Sequence, residues 1–292
     1  MSDAVTGTSA ITAFWNDVLV PKFERFRNVL MDGLGYHSEA PLRSLALPPG
    51  ARVLDVGCGW GDTAIALARK VAPHGDVVGV DCCEKFLETA RASAAAAGVR
   101  NVRFVCADVE TQALEPRYDF CFSRFGTMFF SNPVAGLRNI AAAMRPGATA
   151  LFIAWRPLVD NPCWQVPKET VLRHLPPPGE NAQTCGPGPF SMADPDIVRA
   201  ELRAAGFEDV QFQRHDCAIM MGADIDQAVA FQLAIGPAGE IVREAGEQAQ
   251  RIRPRIEDAL REALAPYATD RGIVMPSSSW TITARKAGTS PS

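Results

Sequence analysis

No stretch of this 292-residue chain is apolar for long enough to cross a bilayer, because Arg, Asp or Pro interrupts every long candidate. The start, Met1 to Ala10, lacks a basic segment followed by an apolar one, so no secretory leader is expected and a cytoplasmic location is. Basic residues are outnumbered, 29 Lys and Arg against 33 Asp and Glu, and no basic run occurs, which argues against an RNA or DNA partner. The eight cysteines (58, 82, 83, 106, 121, 163, 185 and 217) include neither a Cys-x-x-Cys pair nor a Cys/His spacing of zinc type. No metal is therefore expected, and reduced thiols fit a cytoplasmic chain better than disulfides. No internal repeat is visible. What is present is enough apolar residue, 47%, to bury a sizeable core.

From Ala51 onward short β-branched runs alternate with helical stretches. The runs are Arg52 to Val56, Asp76 to Val80, Asn101 to Val105, Tyr118 to Phe122 and Thr149 to Ala154, with later strands at Phe207 to Met221 and Gly272 to Arg285. This alternation predicts an α/β fold with a Rossmann-like, doubly wound, mostly parallel sheet of seven strands. Helix ends are marked by Gly98, by Asn132 with Pro133 and by Asp194 with Pro195, while Arg145 to Gly147 reads as a turn into the fifth strand. Before the sheet, apolar spacing predicts two short amphipathic helices over 11–31, separated at Pro21. A Pro-rich insertion covers 156–191, and a mainly helical lid spans 224–268, interrupted at Pro254. The expected divisions are a helical cap over 1–45, a core over 46–156, the insertion over 157–192 and the remainder of the sheet with its lid over 193–292.

The sharpest local signal is Val53 to Gly61, where a hydrophobic strand runs into Gly57, Gly59 and Gly61, and Asp62 and Thr63 open a helix. Glycines at alternate positions allow a tight turn and a close backbone approach to a ligand. Asp55, just ahead of the loop, is suited to accept from a ligand ammonium or to hold the loop amides through water. Asp81 ends the second strand, where a carboxylate can accept from both hydroxyls of a ribose or cap the next helix. After the third strand, Cys106-Ala107-Asp108-Val109 offers a carboxylate for an adenine amine and an apolar side chain for the ring. Three successive strands thus present suitable residues at their carboxyl ends, where open α/β sheets bind ligands.

Over roughly residues 45–155 these motifs resemble the class I S-adenosylmethionine-dependent methyltransferases, in particular the bacterial small-molecule branch of the ubiquinone and menaquinone C-methyltransferase type. The resemblance implies S-adenosyl-L-methionine as cofactor. It implies that Gly57, Cys58, Gly59 and Gly61 hold its methionine moiety, Asp81 its ribose and Asp108 its adenine, with Cys82, Ala107 and Val109 alongside. Ser123 to Phe130 resembles the segment that faces both the sulfonium and the acceptor, which makes Ser123 a cofactor candidate and Phe125 and Met128 acceptor candidates, core packing being the other reading for the last two. Trp15 and Arg156 also resemble this branch, on the cofactor and acceptor sides respectively.

A dehydrogenase fingerprint would carry a third glycine where Asp62 stands, so an NAD-dependent oxidoreductase is the runner-up reading, beside a non-catalytic S-adenosylmethionine-binding module. The expected acceptor is a small, apolar or aromatic molecule under the insertion and the lid, with O-, N- and C-methylation all open. If a proton must leave, histidine is the natural base. His174 in the insertion is the first candidate and His37 the second; His74 and His215 are not favoured. Cys163, Cys185 and Cys217 fall in the acceptor half and read as buried thiols.

Overall fold

The computed structural model describes residues 10–179 and 186–288. Cys185 and the leader question at residues 1–9 lie outside them. Eight strands form one sheet: β1 (Arg52–Val56), β2 (Asp76–Asp81), β3 (Val102–Cys106), β4 (Tyr118–Arg124), β5 (Met144–Trp155), β6 (Phe207–Gly222), β7 (Ala268–Thr269) and β8 (Gly272–Lys286). The strand order is β3-β2-β1-β4-β5-β8-β6, and the two-residue β7 pairs with β8. Strands β1 to β5 run parallel, whereas β8 lies antiparallel between β5 and β6. This is the expected doubly wound sheet, with one short strand added.

The burial of each strand follows from its place. Val53, Leu54 and Val56 of β1, and Val77, Val78 and Val80 of β2, are essentially fully buried, as strands covered on both faces require. At the sheet edge, β6 instead alternates between buried or half-buried and exposed positions over most of its length and carries Glu208, Arg214 and Asp216, which discourages further strand pairing. The connection Asp62–Val71 is helical because Ala64, Leu67, Ala68 and Val71 recur at helical spacing on one buried face. Asn132 accepts from the Ala135 amide and Asp194 from the amides of Asp196 and Ile197, so both caps expected ahead of a proline are made.

Three local expectations are corrected. Pro21 does not separate a pair of helices: a π-helical turn at Trp15–Leu19 precedes the helix Val20–Arg25, where the proline sits in the first turn and needs no amide partner. The stretch Arg145 to Gly147 belongs to β5, as a bulge between the pairs Tyr118–Met144 and Phe120–Thr149, with Gly147 at φ 77°. The lid breaks three times, between Gln232 and Gly236, at Gly246 (φ 49°) and at Ile252, just before Pro254 enters the first turn of the helix Arg253–Leu264.

The helix Arg27–Ser44 packs along β6, and the helix Pro162–Leu172 packs against Gly236–Ala245 and Arg253–Leu264. Leu30 and Leu34 of the first of these helices, Trp164 and Lys168 of the second, and Gly236 and Glu240 of the third cover a cavity at the carboxyl ends of β1, β4 and β5. No helix of the described residues is long and apolar enough to cross a membrane.

Candidate cofactor and acceptor site

The cavity has a volume of about 460 Å³, within the range of roughly 300–1,000 Å³ usual for small-molecule sites. Gly57, Cys58 and Gly59 line it from the loop after β1, Asp81 and Cys82 from the end of β2, and Ala107, Asp108 and Val109 from the end of β3. Trp15, Phe125 and Met128 line it as well. Two halves result: a polar one at the ends of β1 to β3, and an apolar one under the helical cover.

In the polar half, Asp81 accepts from the Gly59 amide (2.9 Å) and the Cys83 amide (3.0 Å), one on each carboxylate oxygen. The carboxylate thereby fixes the glycine loop, and each oxygen keeps a second lone pair for a ligand. Burial raises its pKa above the ordinary carboxylate value, against the pull of those amides. A Cβ built on Gly59 would meet nothing within 4 Å, and its φ is +50°. Its exposed side is the open cradle that a ligand would fill. Asp108 uses one oxygen to accept from the Glu110 amide at 2.9 Å, leaving the other without a partner among the described residues. Glu110 in turn accepts from the amides of Ser131 and Asn132 and anchors this loop to the following helix.

Five expected site residues do not reach the cavity. Asp55 is buried beneath the loop: one oxygen accepts from the Thr63 hydroxyl at 2.6 Å and the other has no partner. Burial, reinforced by Asp62 and Asp81, pushes this carboxyl up to about 7. Thr63, not Asp55, stands on the wall. A Cβ on Gly61 would come within 2.9 Å of Ala90 and Phe104, so this glycine lets the helix Asp62–Val71 approach its neighbours. Ser123 donates its hydroxyl to the Val56 carbonyl at 2.7 Å and ties β4 to β1.

Arg156 points the other way from the residue before it. Its guanidinium lies 4.6 Å over the Trp280 ring and pairs with Asp160 at 3.0 Å, while Trp155 lines the cavity. Along a strand a one-residue shift exchanges the two faces. His174 lies just past the end of the helix Pro162–Leu172, where its amide closes the last turn onto Val171, and its side chain is off the wall. The residues of that helix on the wall are Trp164 and Lys168.

None of the four histidines lines the cavity. His37 is fully buried behind Phe125 and Trp155, with ring centroids 5.5 and 4.9 Å away. Its Nδ1 lies 2.8 Å from the Ser279 hydroxyl and its Nε2 2.9 Å from that of Ser277. Ser277 donates to the Cys217 carbonyl, so it accepts from Nε2–H, and Ser279 donates to Nδ1. Burial, with His215 and Arg124 adding positive charge nearby, pushes the imidazole down to about 3. Spacing gave no sign that His37, His215 and Cys217 would place their donor atoms within 4.8 Å of one another. The serine bonds already satisfy His37.

Several wall residues escaped sequence reasoning. Asp62 and Arg124 form a bidentate pair at 2.8 and 2.9 Å, and Trp155, Trp164, Lys168 and Glu240 complete the far side. Strand alternation was the missed signal for Arg124, since it cannot share a face with Ser123. Phe125 breaks that alternation by a backbone turn at φ 57°, which delivers its ring to the cavity in a 4.2 Å stack on Trp155. The others had no local signal.

Residues 53–147, about a third of the chain, match a family model described as a methyltransferase domain. Aklanonic acid methyltransferase DauC of Streptomyces sp. (strain C5) is 33% identical over 104 residues, covering 35% of this chain and 47% of the relative. Demethylmenaquinone methyltransferase of Staphylococcus aureus (strain JH9) is 27% identical over 134 residues, covering 45% of this chain and 55% of the relative. The chain thus spans about half the length of these curated relatives.

Among solved structures, the YcgJ protein of Bacillus subtilis superposes with a TM-score of 0.56 at 18% identity, covering 87% of this chain and all of the other. Phosphoethanolamine N-methyltransferase 2 of Haemonchus contortus, in complex with S-adenosyl-L-methionine, gives 0.56 at 16% identity, covering 97% of this chain and 61% of that one. At these identities the likeness shows a shared fold.

Proposed function

We propose that this protein transfers the methyl group of S-adenosyl-L-methionine to a small, apolar or aromatic acceptor. The observation that carries the reading is the polar half of the cavity: a glycine loop with open space over Gly59, beside Asp81 and Asp108 at successive strand ends. The matched methyltransferase-domain segment, 53–147, contains all three. The two curated relatives carry names built on small-molecule acceptors, aklanonic acid and demethylmenaquinone.

In this reading Asp81 binds the ribose hydroxyls with the lone pairs its amide partners leave over. The free oxygen of Asp108 takes the adenine amine, Val109 packs on the ring, and the loop Gly57 to Gly59 receives the methionine moiety. The cofactor supplies an already electrophilic methyl group, so the protein's task is alignment of the acceptor and exclusion of water. The stacked Phe125 and Trp155, with Met128, form a dry wall suited to that task. With no histidine on the wall, an acceptor that arrives already nucleophilic fits best, and a proton, where one must leave, has the wall's carboxylates to receive it.

The same reading assigns 46–156 to cofactor binding, 1–45 to the cap, 157–192 to the acceptor side and 193–292 to the rest of the sheet with its lid over 224–268. It places the protein in the cytoplasm without a nucleic-acid partner, in keeping with the acidic charge balance and the seven unpaired cysteines of the described residues. Parallel calorimetric titrations with S-adenosylmethionine, S-adenosylhomocysteine and NAD test it. Binding of the two adenosyl compounds without NAD is expected, and binding of NAD alone would transfer the chain to the oxidoreductases.

A further inference from the structure

Two cationic side chains reach the wall of the cavity, and they are not equivalent. Arg124 is neutralised by its bidentate pair with Asp62. Lys168 has neither an ion pair nor a hydrogen bond with any described residue, although it is half-buried. One helical turn earlier on the same helix, Trp164 is 94% buried by its 6% exposure, and its Nε1–H has no partner.

Two other indoles of the fold are answered: Trp60 donates to Glu24 at 2.6 Å and Trp280 to the Ala193 carbonyl at 2.9 Å. A Cβ on Gly236 would meet the six-membered ring of Trp164 at 2.7 Å, so the benzo edge is seated against that backbone and the N–H lies on the opposite side of the ring.

Residues four apart on a helix share a face, so the Lys168 ammonium and the Trp164 ring, with its unanswered N–H, stand together on a wall that Trp155, Phe125, Leu158 and Ile235 continue. A buried donor left unpaired is costly, and an ionised oxygen is the acceptor that repays it best. A competing anion on the wall, Glu240, is already held by Arg243 at 2.9 Å and Lys22 at 4.0 Å. The helix's own Glu169 is occupied by Gln165 at 2.7 Å.

We infer that the acceptor is a ring-bearing or otherwise apolar acid, whose carboxylate is held by Lys168 and Trp164 while its hydrophobic body lies against the Phe125–Trp155 stack. This rests on the methyl-transfer reading and adds the substrate class to it. Lys168 and Trp164 are then the residues that select an acid over its neutral analogue.

The test uses the full chain saturated with S-adenosylhomocysteine and two probes of equal shape, 2-naphthoate and 2-naphthamide, titrated by tryptophan fluorescence. The expected result is at least a tenfold tighter binding of naphthoate. Lys168→Met should erase that preference, Lys168→Arg should retain most of it, and Trp164→Phe should weaken naphthoate several-fold. All three should bind S-adenosylhomocysteine as the unaltered protein does. Equal affinity for the two probes, no naphthoate binding at millimolar concentration, or a preference that survives Lys168→Met would overturn the inference. Failure of S-adenosylhomocysteine itself to bind would strike the methyl-transfer reading instead, and that titration is recorded separately.

Discussion

The two halves of the cavity are built on opposite principles. At the ends of β1 to β3, polar groups are close in sequence and bonded to backbone: Asp81 holds the amides of Gly59 and Cys83, and Asp108 that of Glu110. On the far side, the wall is assembled from Trp15, Phe125, Trp155, Lys168 and Glu240, drawn from separate segments. The first arrangement fixes one ligand shape tightly because each carboxylate is anchored to backbone amides at a strand end. The second is free to vary one side chain at a time, as an acceptor pocket requires.

On this division, replacements in the polar half change cofactor affinity or the energetics of the loop, and replacements in the cover change stability or acceptor choice only. The largest effect is expected from Asp55, whose carboxyl is raised to about 7 from an ordinary value near 3.8. Between those pH values the folded chain holds a proton that the unfolded chain has lost, so its contribution to stability falls as pH rises from about 4 to 7 and is level above. The full span amounts to at most about 4 kcal/mol. Asp55→Asn lacks this slope, so urea melts of the two proteins should diverge across that window, with the variant gaining relative stability towards neutral pH; parallel curves would remove Asp55 as a strained group.

His37→Ala comes next. It empties a buried site and strips partners from Ser277 and Ser279, at a cost of about 3 kcal/mol, yet it should leave S-adenosylhomocysteine affinity within about twofold. A large loss of affinity without loss of stability would mean that the cover and the cofactor half are not separable.

Asp81→Ala should weaken S-adenosylhomocysteine binding by about a hundredfold, close to 3 kcal/mol, with a drop in melting temperature because two loop amides lose their acceptor. Affinity that stays unchanged in calorimetry would end the ribose assignment. The smallest effect is expected from His174→Ala, which should shift stability by less than about 0.5 kcal/mol and leave binding alone. A clear loss in either would show that this histidine reaches the site after all.

The same division explains what could be read from the sequence. Strand runs such as Val53 to Val56 and the loop glycines announce themselves because burial on both faces and close backbone approach each restrict residue type at fixed spacing. Asp81 and Asp108 were visible because a strand end fixes their place. Arg156 and Ser123 lie one residue out of phase with the wall residues Trp155 and Arg124, and one residue reverses the face of a strand. His174 stands out by residue type, whereas Trp164 and Lys168 are marked only by helical phase, which needs the limits of the helix Pro162–Leu172. The fully buried His37, bonded to serines some 240 residues away, depends on β8 lying beside β6, a pairing no local pattern encodes.

The most direct test of the central claim is a crystal structure with S-adenosylhomocysteine. The account predicts ribose hydroxyls against Asp81, adenine between Asp108 and Val109, the amino-acid moiety over Gly59, and the half beneath Trp164 and Lys168 left open. Ligand density filling that apolar half instead, or lying away from Asp81, would contradict it.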